Sequence, residues 1–495
     1  MKKPQSSSFK LNPIAAAIAI AMASQFSTNV ALAGSGFGSG VTIKNQPVTV
    51  PTYYANSPVG NVPALDSATG APVVNPLTGK AIDPATGHPY VVNSGKALRK
   101  FVDTLPGIPG ITSFGANNLG QYIPLAVPEK NWVNPVTGVV TTDDYYEIAA
   151  VEFNEKMHSD LPKATHLRGY VQLETAGNAA TSKHIALTYP NGSPILDSKG
   201  VQVYAYDNPH HLGPLISSTK GTAVRVKFTN YLPVGGKLFV PVDTTITGAG
   251  LGPDGKTSYT QNRAEIHLVG GQSPWISAGT PHQWVAPAGE VAAYAAGLGK
   301  GASAQSLPDM LDPGNGSTTL FFPNDMSARF MFYQDRTSGL TRLNSYVGLE
   351  AGYVVTDPIE QTLVSGGTIG GLPVAAGTVP ADQIPLIIED KTFVPQNIAQ
   401  QDAKWDTAIW GQPGDLWFPH MYETNQDPNS LSGANPVGRW DYGPLFWPIF
   451  TVDPTKAVLP TPSFTPEAYM DTPVINGTAY PTLTVDPKAY RFRIL

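Results

Sequence analysis

Val224-Arg225-Val226-Lys227-Phe228 alternates apolar and charged side chains without a break. A period of two marks a β-strand, because successive Cβ atoms leave opposite faces of the chain. Such a strand is expected to bury Val224, Val226 and Phe228 and to turn Arg225 and Lys227 toward water. Strand-like runs recur at 145–153, 201–206 and 329–333, separated by turn-forming stretches. Glycine and proline number 49 and 47 among 495 residues, a density that interrupts any regular element after a few residues. The chain therefore reads as all-β, a sandwich or barrel of short strands, and not as a protein of long helices.

Charge is sparse. Lys, Arg, Asp and Glu make up 14% of the chain, the net charge is −6, and no run of Lys or Arg exceeds two residues. That excludes the basic footprint of a nucleic-acid or anionic-membrane binder. The chain has no cysteine, hence no disulfide, thiol nucleophile or thiolate metal ligand. Lys2 and Lys3, an apolar stretch at 14–22 and Ala31-Leu32-Ala33 have the order of a secretory signal peptide over 1–33, and imply export to the periplasm or beyond. The apolar core is too short to hold the protein in a bilayer, and no later segment reaches the length of a membrane span.

Residues 34–95 form a Gly/Pro-rich low-complexity spacer in which turn units such as Asn75-Pro76-Leu77-Thr78-Gly79 and Asp83-Pro84-Ala85-Thr86-Gly87 repeat. A first domain is expected over 96–360, a linker rich in Gly, Pro, Thr and Val over 361–382, and the start of a second domain over 383–495. The last residues, Tyr490-Arg491-Phe492-Arg493-Ile494-Leu495, alternate like a strand up to the chain end. A strand there has no following partner to cover its apolar face, so the second domain is expected to be truncated and to continue past Leu495.

Asn262-Arg263-Ala264-Glu265-Ile266-His267-Leu268-Val269-Gly270-Gly271, followed by Pro274-Trp275-Ile276-Ser277 and Gly279-Thr280-Pro281-His282-Gln283-Trp284, resembles the first copper motif of bacterial multicopper oxidases. It is most similar to the spore-coat laccase, bilirubin oxidase and phenoxazinone synthase branch. Gly213-Pro214-Leu215-Ile216, Phe239-Val240-Pro241-Val242-Asp243, Leu340-Thr341-Arg342-Leu343-Asn344 and Gly352-Tyr353 follow the same pattern, so the resemblance runs from Leu98 to Leu495. It implies cupredoxin-like β-sandwiches, one complete and a second incomplete at the C-terminus. It also implies copper as cofactor and oxidation of phenols or of metal ions such as Mn(II), coupled to oxygen reduction.

In that family eight histidines, two from each of four His-x-His motifs, hold a trinuclear copper cluster. Ligands two apart on a strand point to one face, and imidazole suits copper. The resemblance places His267 at the first ligand position, where histidine is retained. Val269 stands at the second, and Gln334 and Arg336 at the two positions of the second motif. Valine has no lone pair to give. The guanidinium of Arg336 stays charged, and at about 4 Å with an effective dielectric near 20 it would repel each unit of metal charge by about 4 kcal/mol. The other two motifs and the blue-copper cysteine would fall beyond Leu495. The expectation is an exported multicopper-oxidase-like protein without the family's catalysis, and with copper bound incompletely or not at all. Three readings stay open: an oxidase completed by a C-terminal domain, a non-catalytic cupredoxin-like binding or surface module, and a truncated reading frame.

Other candidates carry less. His267 without a chelating partner reads as a hydrogen-bonded structural histidine, and His282 as a loop-packing residue. His210-His211 could chelate a metal but follows Asp207-Asn208-Pro209, which reads as an exposed turn. His158 and His166, with Asp143, Asp144, Glu147, Glu152 and Glu155 upstream, read as a solvated strand face more than a cation site. Trp405, Trp410, Trp417, Phe418, Trp440, Tyr442, Phe446 and Trp447 read as a packed mini-core. The sequence has no nucleophile elbow, phosphate loop, zinc helix or dinucleotide fingerprint.

Overall fold

The computed structural model describes residues 98–418, except 245, 295–298, 395, 397 and 399–404, together with residues 470 and 472–495. The expected signal peptide and spacer, and Trp440, Tyr442, Phe446 and Trp447, lie outside the described residues. The strands in chain order are β1 (Asp144–Glu155), β2 (Thr165–Gln172), β3 (Ile185–Ala186), β4 (Tyr204–Ala205), β5 (Ile216–Thr219), β6 (Val224–Asn230), β7 (His267–Val269), β8 (Ser317–Phe322) and β9 (Arg329–Gln334). Helix α1 (Thr341–Tyr346), β10 (Glu350–Thr356) and helix α2 (Pro358–Ser365) come next. The chain continues with β11 (Gly367–Ile369), β12 (Leu372–Val374), β13 (Gln383–Leu386), β14 (Ile388–Lys391), β15 (Thr472–Ile475), β16 (Thr478–Ala479) and β17 (Arg491–Ile494).

Two four-stranded sheets, ordered β2-β1-β6-β8 and β5-β10-β9-β7, make the main body. In the first, β1 runs antiparallel to β2 and parallel to β6, in a register that sets Ile148 opposite Gln172 and Asp144 opposite Val224. Tyr146, Ile148, Tyr170, Val226 and Phe228 from this sheet share one core cluster with Leu268, Met331, Tyr333 and Tyr353 from the other. The inner faces therefore meet as a β-sandwich, the cupredoxin-like all-β architecture expected from the sequence. The rings of Tyr170 and Phe228 meet edge-on at 6.1 Å, and those of Tyr170 and Tyr333 lie 5.2 Å apart. Two of these buried tyrosines keep a partner for the hydroxyl: Tyr170 donates to the Glu265 carbonyl and Tyr333 to the Pro214 carbonyl, both at 2.6 Å.

The expected wet face of β6 reaches solvent only at Lys227, which is partly exposed. Arg225 is 9% exposed, with Nε donating to Asp143 Oδ2 at 2.6 Å, Nη2 2.9 Å from Asp309, and its guanidinium over the Phe321 ring. Residues 305–312 fold over this face, where Leu307 and Met310 pack with Tyr145. The solvated carboxylates expected along β1 are likewise a correction, because Asp144, Glu152 and Glu155 are buried on a central strand whose ends are covered. Of the 201–206 run only β4 is a regular strand, and Gln202 ahead of it forms an isolated antiparallel bridge with Leu196.

Asp357 caps α2 by accepting from Glu360 N at 2.7 Å, with Pro358 in the first turn. Residues 361–382 hold the rest of α2 and the β11–β12 hairpin. The strands that follow pack onto the sandwich: Phe393, Leu416, Val474 and Ala479 share a cluster with Leu167, Leu238 and Leu343. Trp405 and Trp417 pack with Val394 and Ile398, a mini-core among the described aromatics. Among the described residues no helix is long and apolar enough to cross a membrane.

Phe228 is fully buried at the meeting of the two sheets. Phe228→Ala is expected to lower stability by about 3–5 kcal/mol, read from the midpoint of urea unfolding at unchanged slope.

Candidate metal centre

His267 opens β7 and lies directly opposite Gln334 on β9, while Leu268 lies opposite Tyr333 and Val269 opposite Phe332. Leu268 and Tyr333 belong to the core cluster, so His267, Val269 and Gln334 occupy the outer face. Arg336, two residues past Gln334, returns to His267, with Nη1 3.3 Å from the imidazole Nε2. The structure thus brings together His267, Gln334 and Arg336.

A buried carboxylate fixes this arrangement. Asp335 is fully buried and accepts from Glu265 N and Thr337 N, both at 3.0 Å, from Thr337 Oγ1 at 2.7 Å and from Asn344 Nδ2 at 3.0 Å. It ties the end of β9 to the segment entering β7 and to α1. Two buried arginines brace the same segment. Arg168 donates to Glu152, to Asn262 Oδ1 and to the Gln261 carbonyl. Arg263 donates to the Thr260 and Ser338 carbonyls while lying 4.8 Å from the ring centres of Tyr259 and Trp284. On the other side of His267 the chain passes so close that a Cβ on Gly279 would lie 2.3 Å from the Ile266 carbonyl oxygen, and φ there is +59°. Only glycine fits, and its fit carries the Ala278 carbonyl to 2.5 Å from His267 Nδ1.

That contact assigns the tautomer. Nδ1–H donates to the carbonyl, which leaves Nε2 as the acceptor, and the Arg336 guanidinium donates to it. Burial and, after it, the Arg336 charge hold the imidazole below its ordinary pKa despite the Ala278 carbonyl. The donor set does not fit a copper ion. Both nitrogens of His267 are engaged, Val269 has no donor atom, Gln334 carries an amide in contact with Ser345 Oγ, and Arg336 brings a fixed positive charge.

Glu265, two residues before His267, had given no sequence signal. It is 2% exposed, and neither carboxyl oxygen makes a well-formed hydrogen bond, the Gln283 backbone being its nearest donor. With Gln283, Gln305 and Thr318 it lines a small cavity of about 10 Å³. Burial, then the neighbouring Asp335, push its pKa well above the carboxylate range.

The expectation of an exposed turn at His210-His211 is corrected. His211 is 1% exposed, its Nε2 lies 2.7 Å from Glu389 Oε2, and its backbone N donates to Glu155 Oε2 at 2.7 Å, while His210 Nδ1 lies 2.5 Å from Glu155 Oε1. Glu389 lies 178 residues away along the chain, beyond the reach of local pattern. His211, Glu350 and Glu389 bring potential ligand atoms within 4.8 Å of one another. Lys391 already serves this group as its cation, donating to Glu389 Oε1 at 2.5 Å and to the Tyr346 carbonyl at 2.8 Å, 3.7 Å from Glu350. Despite its burial, Glu389 is held well below the carboxylate range by His211 and Lys391, whereas burial and Glu389 push Glu350 well above it. His158 is fully buried against the Arg99 carbonyl, 3.5 Å from Asp103, and His166 stacks on Phe239 with Nε2 3.2 Å from Glu152. His282 is exposed, and only its carbonyl is bonded in the loop, by Ser303 N.

Fold and site together define an all-β chain built on a cupredoxin-like sandwich, with one histidine held beside an arginine on its outer face. No family model matches it. A laccase of Bacillus stratosphericus is 28% identical over 400 residues, which cover 80% of this chain and 50% of the laccase. A laccase of Bacillus subtilis (strain 168) is 25% identical over 353 residues, 71% of this chain and 45% of its own. A solved laccase from Pediococcus acidilactici covers 76% of this chain and 44% of its own at 14% identity, with a TM-score of 0.34. By sequence the chain is similar to laccases and multicopper oxidases, a family whose name implies copper. It spans about half the length of the curated relatives it matches.

The raised pKa of Glu265 gives a pH signature. The folded state holds a proton that the unfolded state releases above the ordinary carboxylate value, so this group costs stability as pH rises through the window above that value. Glu265→Gln is expected to raise the Tm by a few degrees at pH 7 to 8 and to leave it unchanged near pH 4, measured by calorimetry across that range.

Proposed function

We propose that this chain is an exported multicopper-oxidase-like protein in which the outer face of the first sandwich has exchanged copper chemistry for a copper-free binding role. The observation that carries this reading is the hydrogen bond from Arg336 to His267 Nε2, because it occupies the lone pair that a metal would need and sets a positive charge beside it. The resemblance gives positions 267, 269, 334 and 336 as imidazole positions of the trinuclear cluster, and three of the four hold Val269, Gln334 and Arg336. Export rests on the leader-like order of Lys2, Lys3 and the alanine-rich stretch after them.

The test is metal analysis and electron paramagnetic resonance of the purified chain after incubation with Cu(II) and gel filtration. The expected result is less than one copper per chain and no oxygen uptake with a phenolic dye. Three or more coppers with oxygen uptake would overturn the reading. The triple variant Val269→His, Gln334→His, Arg336→His removes the cation and supplies three imidazoles beside His267, and is expected to gain stoichiometric Cu(II) with a nitrogen-ligated spectrum. The same variant left copper-free would mean that position and not residue type keeps the metal away.

A further inference from the structure

We infer that the outer-face position formed by Arg336, Gln334 and His267 is a binding site for a small oxyanion, a carboxylate or inorganic phosphate, with the Arg336 guanidinium as its anchor. The inference rests on the copper-free reading of the same residues and gives that reading a ligand.

The first support is the charge left on Arg336. Several other arginines on this body are neutralised at close range: Arg225 by Asp143 and Asp309, Arg99 by Asp160, and Arg491 and Arg493 by Glu360. Arg336 is exposed, and among the described residues its partner is an uncharged imidazole that takes one of its five N–H groups. The fork that recognises planar oxyanions is therefore free.

The second support is that its neighbours do not compete as anions: His267 orients the guanidinium and Gln334 offers an N–H. Nδ1–H of His267 is tied to the Ala278 carbonyl, so the ring stays in one orientation against the guanidinium. Gln334 shares the face and accepts from Ser345 Oγ through Oε1, which leaves its Nε2 to donate. Three carboxyl groups lie on the adjoining elements. Asp335 is buried and saturated by its four donors, Glu265 is buried against the pocket it lines with Gln283, and Glu350, opposite Gln334, is turned to Lys391. Among the described residues none of them forms an ion pair with the guanidinium. An incoming oxyanion would meet a rigid donor pair at the place where the resemblance puts a metal cation.

The test uses the full chain in calorimetric and thermal-shift titrations with sodium phosphate and with sodium acetate, at ionic strength held constant with sodium chloride. Saturable binding of either anion is expected in the parent chain. Arg336→Gln, similar in size and without charge, is expected to bind at least about tenfold more weakly while keeping its circular dichroism and its Tm in chloride. Arg336→Lys is expected to retain part of the affinity, as a point charge without the fork. Saturation by phosphate alone assigns the site to inorganic oxyanions, and saturation by both anions extends it to carboxylates. A parent chain that responds to neither anion beyond chloride, or an Arg336→Gln chain that responds equally, would sink the proposal. A parallel Cu(II) titration separates the two readings, because stoichiometric copper in the parent chain overturns the copper-free reading, whereas silence toward both copper and anions overturns only the anion site.

Discussion

Everything at the outer face of the first sandwich depends on the Asp335 carboxylate. It is fully buried, and four donors from three separate segments converge on it. A buried charge without such partners would cost several kcal/mol, so the surrounding chain is constrained to supply them. In doing so Glu265 N fixes the approach to β7, Thr337 fixes the exit from β9, and Asn344 fixes α1. His267, Gln334 and Arg336 flank these anchor points, and their relative placement follows from the satisfaction of one carboxylate.

The same logic explains why the site can change chemistry without changing fold. The sandwich core lies on the inner faces of the sheets, where Leu268 and Tyr333 pack, while ligand identity is decided on the outer face by residues between them. Alternation along a strand separates the two tasks. Valine at 269 or arginine at 336 removes nothing from the core, and the fold survives a donor set that does not suit copper. The His211, Glu389 and Lys391 group is a second case of a buried charge set that is closed on itself, with an ammonium where a metal could otherwise sit.

The all-β class, the strand at β6 and the multicopper-oxidase relationship could be read from the linear chain. Their signals are local, namely the alternation at 224–228, the turn density and the motif around His267. The residue types at positions 267, 269, 334 and 336 were legible for the same reason. What local pattern misjudged was exposure. Arg225, Glu152 and Glu155 look like solvent residues because they are charged, yet loops and strands distant in sequence cover them and supply their partners. Glu265 was silent because one acid in an apolar run has no period to break.

Sequence by itself determined the kind of fold and which side chains are available at the family's ligand positions, because periodicity and residue type are properties of the linear chain. Tertiary structure alone decided that His267 gives its lone pair to Arg336, that His211 is buried against Glu389, and that Glu265 is buried without a well-formed hydrogen bond. Those outcomes depend on segments up to 178 residues apart meeting in a low-dielectric interior, where burial and neighbouring charge set the protonation and the partner of each group.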